Sequence, residues 1–117
     1  MKPHVLILED NFIISLDIAD LVTESLHSMP VMARSVATAL KMIPDGIAFA
    51  FLDIDVRDGE SYPVAQKLTE CKIPFIFVSG KNRELLPDEF RQSPFVSKPV
   101  SSLNLVQLAK SLTSAFN

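Results

Sequence analysis

Four places along the chain put reactive side chains directly after short apolar runs. Val5-Leu6-Ile7-Leu8 leads into Glu9 and Asp10, Ile47 to Leu52 into Asp53, Phe75 to Val78 into Ser79, and Phe95-Val96-Ser97 into Lys98. Carboxylates gathered at one place repel one another, so such a cluster needs protonation or a cation. Hard oxygen donors select Mg2+, which keeps several waters and takes one or two carboxylates. A serine hydroxyl can bond a phosphoryl oxygen, and a lysine ammonium can neutralise the same anion. An aspartate carboxylate can attack phosphorus, and phosphoryl transfer asks mainly for positioning and charge neutralisation. Asp53 is therefore the candidate phosphoacceptor, with Ser79 and Lys98 as its helpers and Glu9 and Asp10 as metal ligands.

For these residues to meet, the runs that carry them must be neighbouring strands. Each is apolar at consecutive positions, the pattern of a strand covered on both faces. Two weaker strands are expected at Val31 to Arg34, after Pro30, and at Phe95 to Ser97, after Pro94. Helical spacing fills the intervals. A helix over about 11–28, capped by Asn11, shows Phe12, Ile13, Leu16, Ala19 and Asp20, then Val22 or Leu26, at helical spacing. Shorter helices fit 36–43 and 61–71, and the last starts at Ser101 with a stripe of Leu105, Leu108, Ala109, Leu112 and Phe116. Gly80-Lys81-Asn82-Arg83 and Pro87 interrupt the fourth connection and leave room only for a short fourth helix near 85–91. Repeated strand–helix alternation predicts an α/β fold, a flavodoxin-like (βα)5 doubly wound five-stranded parallel sheet of order 2-1-3-4-5. In such sheets functional groups collect at the carboxyl ends of the central strands, where the reactive residues stand.

Composition narrows the possibilities further. A chain of 117 residues fits one domain, 1–117, and 48% hydrophobic with 21% charged residues lies outside the disordered regime. Eleven basic against fourteen acidic residues leave a net charge of −3 and a pI near 5.2, so nothing draws the protein to nucleic acid or anionic lipid. The first apolar run is too brief for a signal-peptide core or a membrane span of about 20 residues, and a soluble cytoplasmic protein is expected. Cys71 is the single cysteine, cannot form an internal disulfide, and reads as a small core residue near a helix end. His4 and His27 lie outside the reactive set and are expected at the surface.

Two other chemistries fit poorly. Asp53, Asp55, Asp58 and Gly59 resemble a calcium loop in part, but Arg57 occupies a ligand position and Val64 the place of the closing glutamate. A nucleotide site on this fold wants glycines after the first strand, where this chain has Glu9-Asp10-Asn11.

The Glu9-Asp10 pair, Asp53 ahead of a loop ending in Gly59, Ser79, and Lys98-Pro99 together resemble the receiver domain of bacterial two-component response regulators, over the whole chain. The resemblance implies that Glu9, Asp10 and Asp53 hold Mg2+ together with the backbone carbonyl of Asp55. It also implies that Asp53 takes the phosphoryl group and that Ser79 and Lys98 bind its oxygens. Phe95 stands where receivers carry an aromatic switch residue whose rotamer follows the Ser79 hydroxyl, and Lys98-Pro99 falls where the family has a cis peptide. More narrowly, Pro74 to Gly80 and Pro94 to Pro99 look like the stand-alone FAT GUY receivers of general stress signalling, with Ser79 in place of their usual threonine.

The resemblance thus implies a single-domain response regulator that promotes only its own phosphorylation and dephosphorylation, and is not otherwise an enzyme. Its donor would be a sensor histidine kinase or a phosphotransfer protein, its reader a downstream protein target, and its state monomer or weak dimer. No output domain is expected, since the chain ends just after its last helix. Binding a target when phosphorylated and passing phosphate onward are both compatible with it. From another class comes a phosphorylation-independent protein-binding adaptor, in which the acidic site is a relic. Asp55 and Lys81, two positions beyond acceptor and hydroxyl, are expected to tune the lifetime of the phosphoryl group.

Overall fold

Strands that are apolar at every position need a hydrophobic layer on each side, and the computed structural model, which describes all 117 residues, supplies two. The sheet contains β1 (His4–Leu8), β2 (Met29–Ala33), β3 (Ile47–Leu52), β6 (Phe75–Ser79) and β7 (Phe95–Ser97), all parallel, in the order β2-β1-β3-β6-β7. Counted along the sheet strands alone, this is the expected 2-1-3-4-5 order. A two-stranded hairpin, β4 (Asp55–Val56) with β5 (Gly59–Glu60), follows β3 and pairs only with itself. The helices are α1 (Phe12–Glu24), α2 (Val36–Met42), α3 (Tyr62–Glu70) and α4 (Ser102–Leu112).

Alternate residues of each central strand feed opposite layers. Val5, Ile7, Phe49, Phe51, Ile76 and Val78 pack with Ile18, Val22, Leu105 and Ala109 of α1 and α4. Leu6, Leu8, Ala50, Leu52 and Phe77 pack with Ala39, Val64 and Leu68 of α2 and α3. Phe77 meets the rings of Phe75, Tyr62 and Phe90 edge-on at centroid distances of 5.2, 6.3 and 5.7 Å, so the second layer is closed by aromatic packing. None of the helices is long and apolar enough to cross a membrane.

Several local expectations change. Helix α1 is capped by Asn11, whose side chain accepts from Ile14 N–H at 3.1 Å, but it ends at Glu24 because His27 adopts φ 48° and turns the chain into β2. The buried side of α1 is Ser15, Ile18, Ala19, Leu21 and Val22, whereas Phe12, Ile13 and Leu16 are exposed. Pro30 lies inside β2 rather than before it. Met29 N–H donates to the Pro3 carbonyl at 2.8 Å, which puts the missing donor of Pro30 on the outer side of an edge strand, where a proline is tolerated. The short helix expected near 85–91 is realised as two 3₁₀ turns, Arg83–Leu85 and Asp88–Phe90. Pro87 offers no N–H and holds Leu86 extended, at ψ 152°, between them. Cys71 is exposed at the C-cap of α3 instead of buried, because the neighbouring Lys72 at φ 59° swings the chain outward.

Candidate functional site

Backbone hydrogen bonds continue the sheet ladder one residue past the strand ends and thereby place the reactive residues. Glu9 N–H donates to the Ala33 carbonyl at 3.0 Å, Asp53 N–H to Leu8 at 2.8 Å, and Lys98 N–H to Ser79 at 2.9 Å. Lys98 is thereby brought to the same end of the sheet as Asp53 and Glu9, 45 and 89 residues away in sequence. The peptide between Lys98 and Pro99 is cis, as the resemblance implied.

Carboxylate oxygens of Glu9, Asp10 and Asp53 lie within 4.8 Å of one another. Glu9 is 2% exposed, Asp53 9%, and Asp10 is half-buried. The Lys98 Nζ donates to Glu9 Oε1 at 2.7 Å and to Asp53 Oδ2 at 3.1 Å. The other Glu9 oxygen accepts from Asn11 N–H at 3.0 Å, and Asp53 Oδ1 accepts from Ile54 N–H at 2.8 Å. Each oxygen of Asp53 therefore uses one lone pair and retains another for an ion or an electrophile. Asp10 receives none of these hydrogen bonds.

Electrostatics follow from this arrangement. Burial, reinforced by the Glu9 charge and only partly offset by Lys98, pushes the Asp53 carboxyl up from 3.8 to about 6. Burial opposes the Lys98 ammonium, yet its bonds to Glu9 and Asp53 outweigh that and hold its pKa above the ordinary lysine value. One ammonium among three carboxylates leaves the cluster short of positive charge. Three hard oxygen donors converging on one point, with a charge deficit, fit a divalent cation such as Mg2+.

Ser79, at the end of β6, is 2% exposed, and its Oγ accepts from Lys81 N–H at 3.0 Å. Phe95, in β7, is half-buried against the second layer, with the Arg83 guanidinium 5.2 Å from its ring centre. The Asp55 carboxylate stands apart from the acidic cluster. It is exposed and lies 3.6 Å from Lys81 Nζ, so only its backbone can serve the role the resemblance assigned to it.

Sequence reasoning overlooked two partners on the hairpin. Glu60 Oε2 accepts from Lys81 Nζ at 2.9 Å, and this bond raises the Lys81 pKa. Asp58 reaches α2, and its two bonds to backbone N–H groups lower its pKa. The signal available for Asp58 was the Asp58-Gly59 pair itself, a turn dipeptide; Gly59 adopts φ 131°, where L side chains are strained.

A scan against protein-family models returns no match, and neither does a search of curated proteins. Among solved structures, the chain is similar to SdrG from Sphingomonas melonis Fr1 at 31% identity and a TM-score of 0.79, over 98% of this chain and 96% of that one. It is similar to the BeF3-activated conformation of SdrG from Pseudomonas melonis Fr1 at 33% identity and a TM-score of 0.76, over 92% and 93% of the two chains. A CheY-like response regulator receiver domain from Methylobacillus flagellatus, at 22% identity, shares the fold with a TM-score of 0.80 over 97% of this chain and all of that one. Identity above 30% across nearly the full length, with a parallel sheet that brings Glu9, Asp10, Asp53 and Lys98 to one end, places the chain in the family of response regulator receiver domains.

Proposed function

We propose that Asp53 accepts a phosphoryl group from a phosphohistidine of a sensor histidine kinase or phosphotransfer protein, with Mg2+ as the cofactor. The observation that carries this reading is the shared ammonium: Lys98 Nζ binds Asp53 and Glu9 at once, so the acceptor is both a member of an acidic ion site and the partner of a cation. Glu9, Asp10, Asp53 and the Asp55 backbone would hold the ion, which when bound supplies positive charge against the phosphoryl oxygens. An Asp53 oxygen forms the new O–P bond while the P–N bond of the phosphoimidazole breaks, and the released nitrogen keeps its electron pair and later gains a proton from water. Lys98 moves from carboxylate to phosphoryl oxygen, and the Ser79 hydroxyl turns from the Lys81 N–H toward the same group. Hydrolysis returns Asp53 to the carboxylate. On this reading the domain promotes only its own phosphorylation and dephosphorylation.

The apolar side chains that α1 leaves outside support a protein donor. Phe12, Ile13 and Leu16 are 60%, 71% and 39% exposed just beyond Asp10, and Leu103, at the start of α4 beyond Pro99, is 66% exposed. A groove of about 550 Å³ between α1 and α4 is lined by Ile14, Ile18, Lys98, Pro99 and Leu105. Asp17, Asp20 and Ser102 also line it, so a docking segment of the donor would need apolar side chains flanked by polar or basic ones. On the other side, the added charge of about −1.5 to −2 at Asp53 biases Ser79, Phe95 and the 80–100 segment, which a downstream protein target reads. A cytoplasmic role in general stress signalling accords with the FAT GUY resemblance.

Lys81 bridges Asp55 and Glu60 with its ammonium, and its N–H bonds the Ser79 hydroxyl at 3.0 Å, which ties the bridge to the residue that would bind the phosphoryl oxygens. Exposed ion pairs of this kind contribute well under a kcal/mol, so Asp55→Ala and Lys81→Ala are each expected to change the decay rate of the phosphorylated protein by about threefold. Intact-mass time courses after removal of donor measure it, and unchanged decay in both variants rejects the role.

The main test uses acetyl phosphate with Mg2+ and intact-mass detection. One phosphoryl adduct is expected on the wild-type protein and none on Asp53→Asn. Absence of an adduct on the wild type overturns the reading and leaves the phosphorylation-independent adaptor in its place. BeF3, which has the shape of a phosphoryl group and defines an activated conformation of SdrG, offers a second probe.

A further inference from the structure

The hairpin after Asp53 is fastened at its tip to a helix far away in sequence. Asp58 Oδ1 accepts from Val36 N–H at 2.7 Å and Oδ2 from Ala37 N–H at 3.1 Å. Helix α2 has no acidic residue in its first turn, and its own cap, Ser35, takes only Thr38 N–H, at 3.2 Å. Asp58 therefore supplies from the hairpin what α2 lacks locally: acceptors for two otherwise orphaned donors and a negative charge at the positive end of the helix.

The other end of the hairpin touches the acceptor. Ser61 N–H, just after β5, donates to the Ile54 carbonyl at 2.8 Å, which closes the hairpin onto Ile54. Ile54 N–H in turn donates to Asp53 Oδ1 at 2.8 Å and so orients the carboxylate. The turn Arg57-Asp58 spans only the gap between the Val56 and Gly59 pair, leaving the hairpin little freedom to shift one end without the other.

We infer that Asp58 is a positioning residue for the ion and phosphoryl site. By docking the hairpin on α2 it sets the placement of Ile54 and Asp55, and through Ile54 N–H the orientation of the Asp53 carboxylate. The inference rests on the proposed Mg2+ site and adds a residue that touches neither ion nor phosphoryl group.

The test is a Mg2+ titration of the full chain followed by amide chemical shifts, together with hydrogen exchange at Val36 and Ala37. In Asp58→Ala both amides are expected to exchange at least about tenfold faster. Its Mg2+ dissociation constant is expected to weaken by about tenfold, the lower end of what loss of an outer-shell partner costs. Asp58→Asn, which keeps one acceptor, falls between Asp58→Ala and wild type. Ser35→Ala uncaps the same helix end without touching the hairpin and is expected to bind Mg2+ within about twofold of wild type. A purely structural cap would make Ser35→Ala and Asp58→Ala alike in Mg2+ affinity, and that result overturns the inference, as does wild-type affinity in Asp58→Ala. If the wild-type protein itself binds no Mg2+, the reading of the site falls and this inference with it, an outcome distinct from a variant that binds as well as wild type.

Discussion

In the absence of divalent ions, Asp53→Asn is expected to melt at a higher temperature than the wild-type protein at pH 7, and the advantage is expected to vanish near pH 4. The cause is the buried acceptor. Its carboxyl titrates at about 6 in the folded state against 3.8 as the reference value, so the native protein binds the proton more tightly than the unfolded chain. Stability from this group is then highest at low pH and declines as pH rises from 3.8 to about 6, above which the ionised form carries the full cost. That displacement corresponds to roughly 3 kcal/mol. That figure already contains the attraction of Lys98; asparagine removes the charge, but its amide nitrogen cannot accept the bond that one carboxylate oxygen accepts, so a net gain of about 2 kcal/mol, or roughly 8 °C, is expected at pH 7. Calorimetric melts in chelator at both pH values measure it. Equal melting temperatures at pH 7, or the same advantage at both pH values, would sink the assignment of Asp53 as a buried, incompletely neutralised carboxylate. Mg2+ should narrow or reverse the order, because it binds more tightly to the protein that keeps the third carboxylate.

Lys98→Ala should slow the chemistry while leaving the acceptor in place. Its ammonium is the one cation in contact with the acceptor, at 3.1 Å, and its removal takes away a preorganised charge aimed at the phosphoryl oxygens. A loss of about 10² to 10³ in the rate of phosphorylation by acetyl phosphate follows from such deletions. The same substitution leaves Glu9 and Asp53 as neighbouring buried carboxylates without their counter-ion. Because the lysine side chain is itself 21% exposed, the cost in stability should fall below that of a fully buried pair, at about 2 kcal/mol. Mg2+ should recover most of that stability and little of the rate, since the ion replaces the neutralising charge but not the contact to the transferred group. Urea denaturation with and without Mg2+, beside phosphorylation time courses, separates the two. A rate within tenfold of wild type would remove Lys98 from the mechanism.

The residues that carry these predictions differ in how far they could be read from the chain. Glu9, Asp10, Asp53, Ser79 and Lys98 each follow an apolar run, and the end of a strand is a local feature that sequence displays directly. Helix α1 was harder. Its segment Phe-Ile-Ile-Ser-Leu-Asp-Ile-Ala-Asp-Leu-Val is apolar nearly all round, and the expected pattern through Phe12, Ile13, Leu16, Ala19 and Val22 is right for Ala19 and Val22 but not for Phe12, Ile13 and Leu16, whose place in the core is taken by Ile18 and Leu21. Only the docking of the helix against β1 and β3 decides which side is dry. Cys71 was assigned to the core on residue type alone, and the reversal of chain direction at Lys72 overrode that preference.

Order along the chain, the alternation of strand and helix, and the identity of the charged groups at the sheet edge were determined by the amino-acid sequence itself, because periodicity and strand termination are short-range properties. The tertiary structure decided the ammonium shared between Glu9 and Asp53, the pairing of Lys81 with Glu60, and the attachment of Asp58 to α2. It also turned the fourth connection into two 3₁₀ turns held by Arg83, whose guanidinium donates to the carbonyls of Arg91 and Ser93. These contacts join segments 8 to 89 residues apart through flexible side chains, and their formation depends on distances that exist only once the sheet has assembled.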